Sequence, residues 1–206
     1  MLTSRAKPFF NRLFAPPARL LVACGVSPSF VTVAGAGLVA LACARLLVTR
    51  RIVEFCGLVA LASLTDALDG AVARTGGRVT RWGAYLDAMC DRYAEALVVL
   101  TVAAVTGYWR LSGLLLAGAL LVSYAKARAA MEAPVSNLEW PDLMERAERG
   151  VLYLAGLAAG QLAAWRPWGH DLFWWTLALL ALLTHATVLQ RMGRAKRLIE
   201  GRSRAG

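Results

Sequence analysis

Six stretches of this chain are runs of apolar residues, at about 29–48, 52–73, 83–108, 111–133, 150–165 and 172–190, and each ends in charge, glycine or proline. A helix of roughly 20 residues crosses the hydrocarbon core of a bilayer. The pattern therefore predicts an all-α integral membrane protein with six transmembrane helices. The residues between the runs mark the ends. Ser27-Pro28 offers an N-cap followed by proline at the first helical position, and Arg50-Arg51 closes the first span. A short, polar, glycine-rich link from Arg74 to Arg81 joins the second span to the third. A polar loop, Met131 to Asp142, carries Pro134 and Pro141 and separates the fourth from the fifth. Ahead of the spans, residues 2–24 mix Arg5, Lys7, Arg12 and Arg19 with Phe9, Phe10, Leu13, Phe14, Leu20 and Leu21. That mixture predicts an interfacial amphipathic helix, apolar face toward lipid, with Pro16-Pro17 interrupting any single continuous helix.

With 58% hydrophobic and only 17% charged residues in 206, the composition excludes an ordinary soluble domain. The expected organisation is one membrane domain over 1–206: an interfacial segment 2–24, a six-span core 29–190 and a basic tail 191–206. No internal repeat and no soluble second domain is visible. The formal charge of +10 is concentrated at segment ends. It reads as topology signal and attraction to anionic membrane lipid rather than nucleic-acid binding, because no basic run is interleaved with aromatic residues. Six spans put both termini on one side, together with Arg74, Arg78, Arg81, Arg146 and Arg149. The positive-inside rule makes that side cytoplasmic. Cys24, Cys43, Cys56 and Cys90 have no metal-ligand spacing and read as reduced, small apolar residues. Phe9 to Phe14 is too short and too basic for a signal-peptide core.

The chemistry is concentrated between Asp66 and Asp91. Asp66 and Asp69 lie three apart near the end of the second span, and Asp87 and Asp91 four apart near the start of the third. On helices each pair shares a face, and the short link brings both pairs to one membrane face. A carboxylate in a bilayer helix costs roughly 2.5–3.5 kcal/mol on insertion scales, so four of them need compensation. Oxygen ligation from two facing helices suits Mg2+ or Mn2+, with two ions plausible from the number of carboxylates. Gly70 and Gly83 leave the backbone open to a flat base or a phosphate. Ala73 keeps helices close, and Arg74 offers a planar donor fork suited to a phosphate. Together these parts describe substitution at a phosphorus of a nucleotide-diphosphate lipid. The plainer alternative is a buried polar network that only locks helices together.

Written as a pattern, the stretch is D-x2-D-G-x2-A-R-x8-G-x3-D-x3-D, filled by Asp66, Asp69, Gly70, Ala73, Arg74, Gly83, Asp87 and Asp91. It resembles the signature of the CDP-alcohol phosphatidyltransferase family at every fixed position. The resemblance implies an enzyme that moves a phosphatidyl group from CDP-diacylglycerol to an alcohol and releases CMP. It implies Asp66, Asp69, Asp87 and Asp91 as metal ligands, with Asp91 also the general base. It implies CDP contacts from Gly70, Arg74, Thr80, Ser29 and Thr32, and Gly83 belongs with them as an open backbone position. It also implies a homodimer in a prokaryotic cell membrane, and the charge pattern turns the active site toward the cytoplasm.

A second cluster is basic. Ser123-Tyr124-x-Lys126-x-Arg128, Glu145-Arg146-x-x-Arg149 and Gln190-Arg191 are similar to elements of prokaryotic phosphatidylinositol-phosphate synthases that hold the phosphate of inositol 1-phosphate. A dianionic acceptor beside an acidic metal site needs such cations. Positive-inside charge and snorkelling are the plainer account of single Lys and Arg residues. Inositol 1-phosphate is thus the expected acceptor, with glycerol 3-phosphate, for phosphatidylglycerophosphate synthesis, as the rival. Two rivals come from other classes: a divalent-cation transporter and a non-catalytic lipid-binding scaffold. A transporter calls for polar groups continuing across the membrane, whereas the second span is apolar from Phe55 to Leu64 apart from Ser63. His170 and His185 have no nearby partner in sequence and read as structural. Trp165, Trp168, Trp174 and Trp175 read as an interfacial belt, and Glu95 as a support for the metal site or a packing residue.

Overall fold

A computed structural model describes the backbone of residues 2–132 and 143–203, and side chains from Leu13 to Glu132 and from Leu143 to Glu200. The sequence-predicted loop 131–142 therefore lies mostly outside the described residues. Those described form seven α-helices and one 3-10 turn, with no strand among them. The helices are α1 (Leu2–Ala23), α2 (Pro28–Thr49), α3 (Ile52–Thr75), α4 (Arg81–Thr106), α5 (Trp109–Glu132), α6 (Arg146–Leu162) and α7 (Leu172–Ser203). The 3-10 turn, Pro167–Gly169, precedes α7.

Helices α2 to α7 coincide with the six apolar runs, and the shifts at their ends have local causes. Ser27 caps α2 by accepting the Phe30 N–H at 3.2 Å, with Pro28 in the first turn, as the sequence predicts. Helix α3 runs two residues past Ala73 into a glycine turn. Helix α6 starts at Arg146, four residues before the apolar run, because Glu145 and Glu148 form a reciprocal capping box. Helix α7 continues without a break into the basic segment after Gln190. Its 32 residues span about 48 Å at about 1.5 Å per residue, well beyond the ~30 Å hydrocarbon core. Four helices, α2, α3, α5 and α7, are long and apolar enough to cross a membrane. Helix α4 carries Arg81, Asp87, Asp91, Arg92 and Glu95, and α6 has 17 residues.

One expectation is overturned. Pro16 and Pro17 do not interrupt the first helix: α1 is continuous from Leu2 to Ala23. Proline's fixed φ is helical, and what it removes is the bond to the carbonyl four residues back, at a cost of about 3 kcal/mol. Packing offsets this. Ala18, fully buried, sits against Ala71 and Val72 of α3, flanked by Phe14, Leu21, Val22 and Leu68.

The chain forms two compact units, Met1–Val105 and Thr106–Gly206. In the first, α2 and α3 run antiparallel in close contact, with Thr32 beside Asp69 and Gly35 beside Thr65. Their other end is tied by an ion pair between Arg45 and Glu54. In the second unit, α6 meets α7 through Gly156 and Gly160. A Cβ at Gly156 would lie 2.4 Å from Thr176 Cγ2, and one at Gly160 2.8 Å from Phe173 Cβ. This small-xxx-small spacing lets two membrane helices approach closely. Helix α5 meets α7 through Gly118, which faces Thr184 and His185.

Around 166–175 in the second unit, three of the four belt residues, Trp168, Trp174 and Trp175, form one cluster, and Trp165 stands exposed beside it in sequence. Asp171 accepts the Tyr108 hydroxyl at 2.9 Å and the Trp174 N–H at 2.8 Å, and pairs with Arg166 at 3.3 Å. His170 stacks on Trp174 at 4.2 Å, and Trp175 packs against both Trp168 and Trp174. His185 Nε2 lies 3.1 Å from the Leu114 carbonyl. Both histidines are thus engaged structurally. All four cysteines are free.

Candidate active site

The two acidic helix ends are brought together by the turn between them. Residues 73–78 close α3 with a Schellman motif: Arg78 N–H donates to the Ala73 carbonyl at 2.9 Å and Gly77 N–H to the Arg74 carbonyl at 3.3 Å. Gly77 takes the left-handed conformation this requires, with φ of 61°. Three residues later Thr80 starts α4, its Oγ1 accepting the Gly83 N–H at 2.9 Å. The reversal is complete within Gly76–Thr80, so Asp87 on α4 returns to the level of Asp66 and Asp69 on α3.

Asp66, Asp69 and Asp87 offer ligand oxygens that all lie within 4.8 Å of one another. Asp69 is buried, Asp87 half-buried and Asp66 exposed, so the cluster opens on one side. Asp91, one turn further along α4 and half-buried, stands outside this group of three. A donor set made only of hard carboxylate oxygens from two helices fits Mg2+ or Mn2+. Like charges this close repel one another, and a bound cation relieves that repulsion.

Of the other residues expected at this site, Thr32 touches the cluster directly. It donates to Asp69 Oδ2 at 2.7 Å and lies 3.1 Å from the Pro28 carbonyl oxygen. Ser29 is in the first turn of α2, half-buried. Arg74 folds back along α3, its Nη1 3.2 Å from where a Cβ on Gly70 would stand. Any larger residue at position 70 would crowd that guanidinium. The Thr80 oxygen takes the Gly83 N–H, which leaves its hydroxyl proton available to a ligand. Glu95 forms an ion pair with Arg92 at 2.8 Å.

In the second unit the basic residues separate into kinds. Arg149 and Arg191 are buried, with 3% and 7% of their surface exposed. Arg191 donates to the Val122 carbonyl of α5, one turn before Lys126, which is half-buried. Gln190 accepts the Leu143 N–H at 3.1 Å, fixing the chain's return toward α6. Arg146 is exposed at the first position of α6. Arg128 is exposed too and pairs with Glu132 at 2.5 Å. The buried guanidiniums are the unusual feature, since snorkelling explains exposed cations but not these.

Sequence reasoning missed the Thr32–Asp69 bond, the Gly35–Thr65 approach, the capping role of Glu145 and Glu148, and the Gln190–Leu143 tie. Only the capping pair has a local sequence signal, an acidic residue three before a glutamate ahead of an apolar run.

The model of the CDP-alcohol phosphatidyltransferase family matches residues 25–185 of the chain. The archaetidylinositol phosphate synthase of Methanothermobacter thermautotrophicus is 32% identical over 195 residues, 93% of this chain and 92% of its own. The phosphatidylinositol phosphate synthase of Mycobacteroides abscessus is 34% identical over 191 residues, covering 89% of this chain and 83% of its own. Crystal structures of Mycobacterium tuberculosis phosphatidylinositol phosphate synthase share the fold. The one with CDP-DAG bound has a TM-score of 0.76 at 28% identity, over 89% of this chain and 94% of that chain. The complex with manganese and citrate has a TM-score of 0.77 at 27% identity, over 88% of each.

Proposed function

This chain belongs to the CDP-alcohol phosphatidyltransferase family, and we propose that it transfers the phosphatidyl group of CDP-diacylglycerol to inositol 1-phosphate, releasing CMP. The observation that carries this reading is the three-carboxylate cluster of Asp66, Asp69 and Asp87, set where the eight-position motif ends two helices. The acceptor follows from the names of the relatives, which differ in the lipid but share the inositol phosphate product.

The roles divide among residues of known chemistry. Asp66, Asp69 and Asp87, with Asp91 beside them, would hold Mg2+ or Mn2+. When bound, such ions neutralise pyrophosphate charge and favour in-line displacement at phosphorus. The Arg74 fork binds a phosphate oxygen of the nucleotide lipid, and Gly70 and Gly83 leave the backbone open for its close approach. Ser29 and Thr80 line the nucleotide. The Asp91 carboxylate takes the proton of the acceptor hydroxyl as its oxygen bonds to the lipid phosphorus. The bond from that phosphorus to the CMP oxygen breaks, and CMP leaves. Arg149, Arg191 and Lys126, with Arg146 and Arg128, would hold the acceptor phosphate through charge-assisted bonds.

The protein is a multi-pass membrane protein. We read its organisation as one domain with six spans, α2 to α7, a cytoplasmic carboxylate site and a homodimeric assembly. The deciding experiment uses purified protein, CDP-diacylglycerol and Mn2+, scored for CMP release with inositol 1-phosphate, glycerol 3-phosphate or free inositol. Release with inositol 1-phosphate alone is expected. Release only with glycerol 3-phosphate moves the assignment to phosphatidylglycerophosphate synthesis, and no release with any alcohol overturns the transferase.

A further inference from the structure

We propose that Thr32 is a positioning residue for the carboxylate cluster, fixing Asp69 from the neighbouring helix, and that the close approach of Gly35 to Thr65 holds the two helices at the distance this needs. The inference rests on the reading of Asp66, Asp69 and Asp87 as ligands of a divalent cation. It gives Thr32 a different task from the nucleotide contact that family resemblance implies.

Asp69 is the buried member of the cluster, and an aspartate can turn about two side-chain torsions. A hydroxyl donating to one oxygen restricts that rotation and leaves the other oxygen to face the cluster. Thr32 does this at 2.7 Å to Oδ2. Its β-branched side chain has few rotamers in a helix, and of the two acceptors near its single proton Asp69 Oδ2, at 2.7 Å, is nearer than the Pro28 carbonyl at 3.1 Å. An outer hydrogen bond of this kind orients a metal-ligating carboxylate before the ion arrives.

The bond depends on how near α2 and α3 come. Three residues along from Thr32, Gly35 is buried, and a Cβ built there would stand 2.2 Å from Thr65 Oγ1 and 3.2 Å from Thr65 Cβ. No real methyl tolerates the first distance. Thr65 precedes Asp66, and its hydroxyl turns back to donate to the Ala62 carbonyl at 2.6 Å. Gly35 therefore permits a helix separation that a methyl group would widen, and widening draws the Thr32 hydroxyl off Asp69.

The test uses full-length protein in detergent, with Mn2+ binding read from the electron paramagnetic resonance signal of the free ion, without nucleotide lipid. The variants are Thr32→Val, Thr32→Ser, Gly35→Ala and the double variant Gly35→Ala with Thr65→Ala; Thr32→Ala replaces the valine variant if that one does not purify. Loss of an outer-shell partner weakens metal affinity typically about 10–100-fold. Thr32→Val is expected to fall in that range and Thr32→Ser to bind close to the unmutated protein. Gly35→Ala should weaken Mn2+ in the same way, and removal of the Thr65 side chain should recover part of the loss. Unaltered Mn2+ affinity in Thr32→Val overturns the proposal; a raised KM for CDP-diacylglycerol alongside it makes Thr32 a nucleotide contact instead. If the unmutated protein binds no Mn2+, the cation reading itself fails, which is a distinct result.

Discussion

Asp87 and Asp91 stand one turn apart on α4, but only Asp87 is gathered with Asp66 and Asp69. That separation suits a division of labour in which Asp91 keeps an oxygen for the acceptor's proton. Asp91→Asn should therefore lower turnover by roughly 10²–10⁴-fold, the usual contribution of a positioned base, while Mn2+ binding survives better than in Asp87→Asn. Near-normal turnover in Asp91→Asn, or equal loss of Mn2+ in both variants, contradicts this division. In the second unit, Arg149 is the cation to remove first. It is buried, and charge-assisted bonds are worth about 1.5–3 kcal/mol each. Arg149→Ala should raise the KM for inositol 1-phosphate about ten- to a hundredfold and leave that for CDP-diacylglycerol unchanged. Arg128→Ala should do less, because that guanidinium already pairs with Glu132 at the surface. Initial rates against each substrate separate the two, and identical behaviour of both variants removes the phosphate role from Arg149. The sequence named these residues as candidates through the spacing of its motifs. Their orientations were not legible there. Whether Arg128 faces a ligand or Glu132, and whether Thr32 faces a nucleotide or Asp69, is decided by side-chain contacts that carry no local sequence pattern.

The element that makes the acidic site is the α3–turn–α4 reversal, and its two ends are built differently. Helix α3 stops on a left-handed glycine, and α4 starts on a threonine cap. The short polar link was legible in the sequence, but the left-handed Gly77 and the Thr80 cap, which starts α4 two residues before the apolar run, were not read from it. A Cβ on Gly77 would meet nothing within 4 Å. Gly77→Ala therefore tests conformation alone. A side chain held at φ of 61° costs about 1–2 kcal/mol. The variant should lose thermal stability in detergent and, because the turn sets the register of Asp87 against Asp66, should also bind Mn2+ more weakly. Unchanged melting would mean the turn relaxes without strain. Elsewhere local rules misjudged the elements. Pro16-Pro17 breaks an isolated helix, yet α1 runs through because Ala18 is buried on α3. The fifth apolar run understated α6, since hydropathy does not register the polar first turn that Glu145 and Glu148 cap. Tertiary packing and capping geometry supplied what periodicity lacked.

At the scale of the whole molecule, six helices follow α1 among the described residues, four of them long and apolar enough to cross a bilayer by themselves. Helix α4 falls short of that apolarity because it carries five charged residues, Asp87 of the carboxylate cluster among them. Chelation tests the molecule as a working whole. EDTA should abolish CMP release, and Mg2+ or Mn2+ but not Zn2+ should restore it, because an all-carboxylate site lacks the nitrogen and sulfur donors zinc favours. Full activity in chelator rules out the metal mechanism. Membrane sidedness was legible only through charge, because helix packing within a unit is the same whichever way it is inserted. The first unit allows a direct test, since α3 separates two exposed basic turns: Arg51 before its first residue and Arg78 after its last. The charge pattern, with Arg74, Arg78 and Arg81 at the motif end, predicts that this end faces the cytoplasm. Introduce Arg51→Cys and Arg78→Cys singly after replacing the four native cysteines, and expose intact cells to a membrane-impermeant maleimide. Arg51→Cys should react from outside, and Arg78→Cys only after the membrane is opened or in inverted vesicles. The reverse pattern would place the carboxylates outside the cell, away from cytoplasmic nucleotide-activated lipid. Reaction of both from the same side would mean that α3 does not span the membrane.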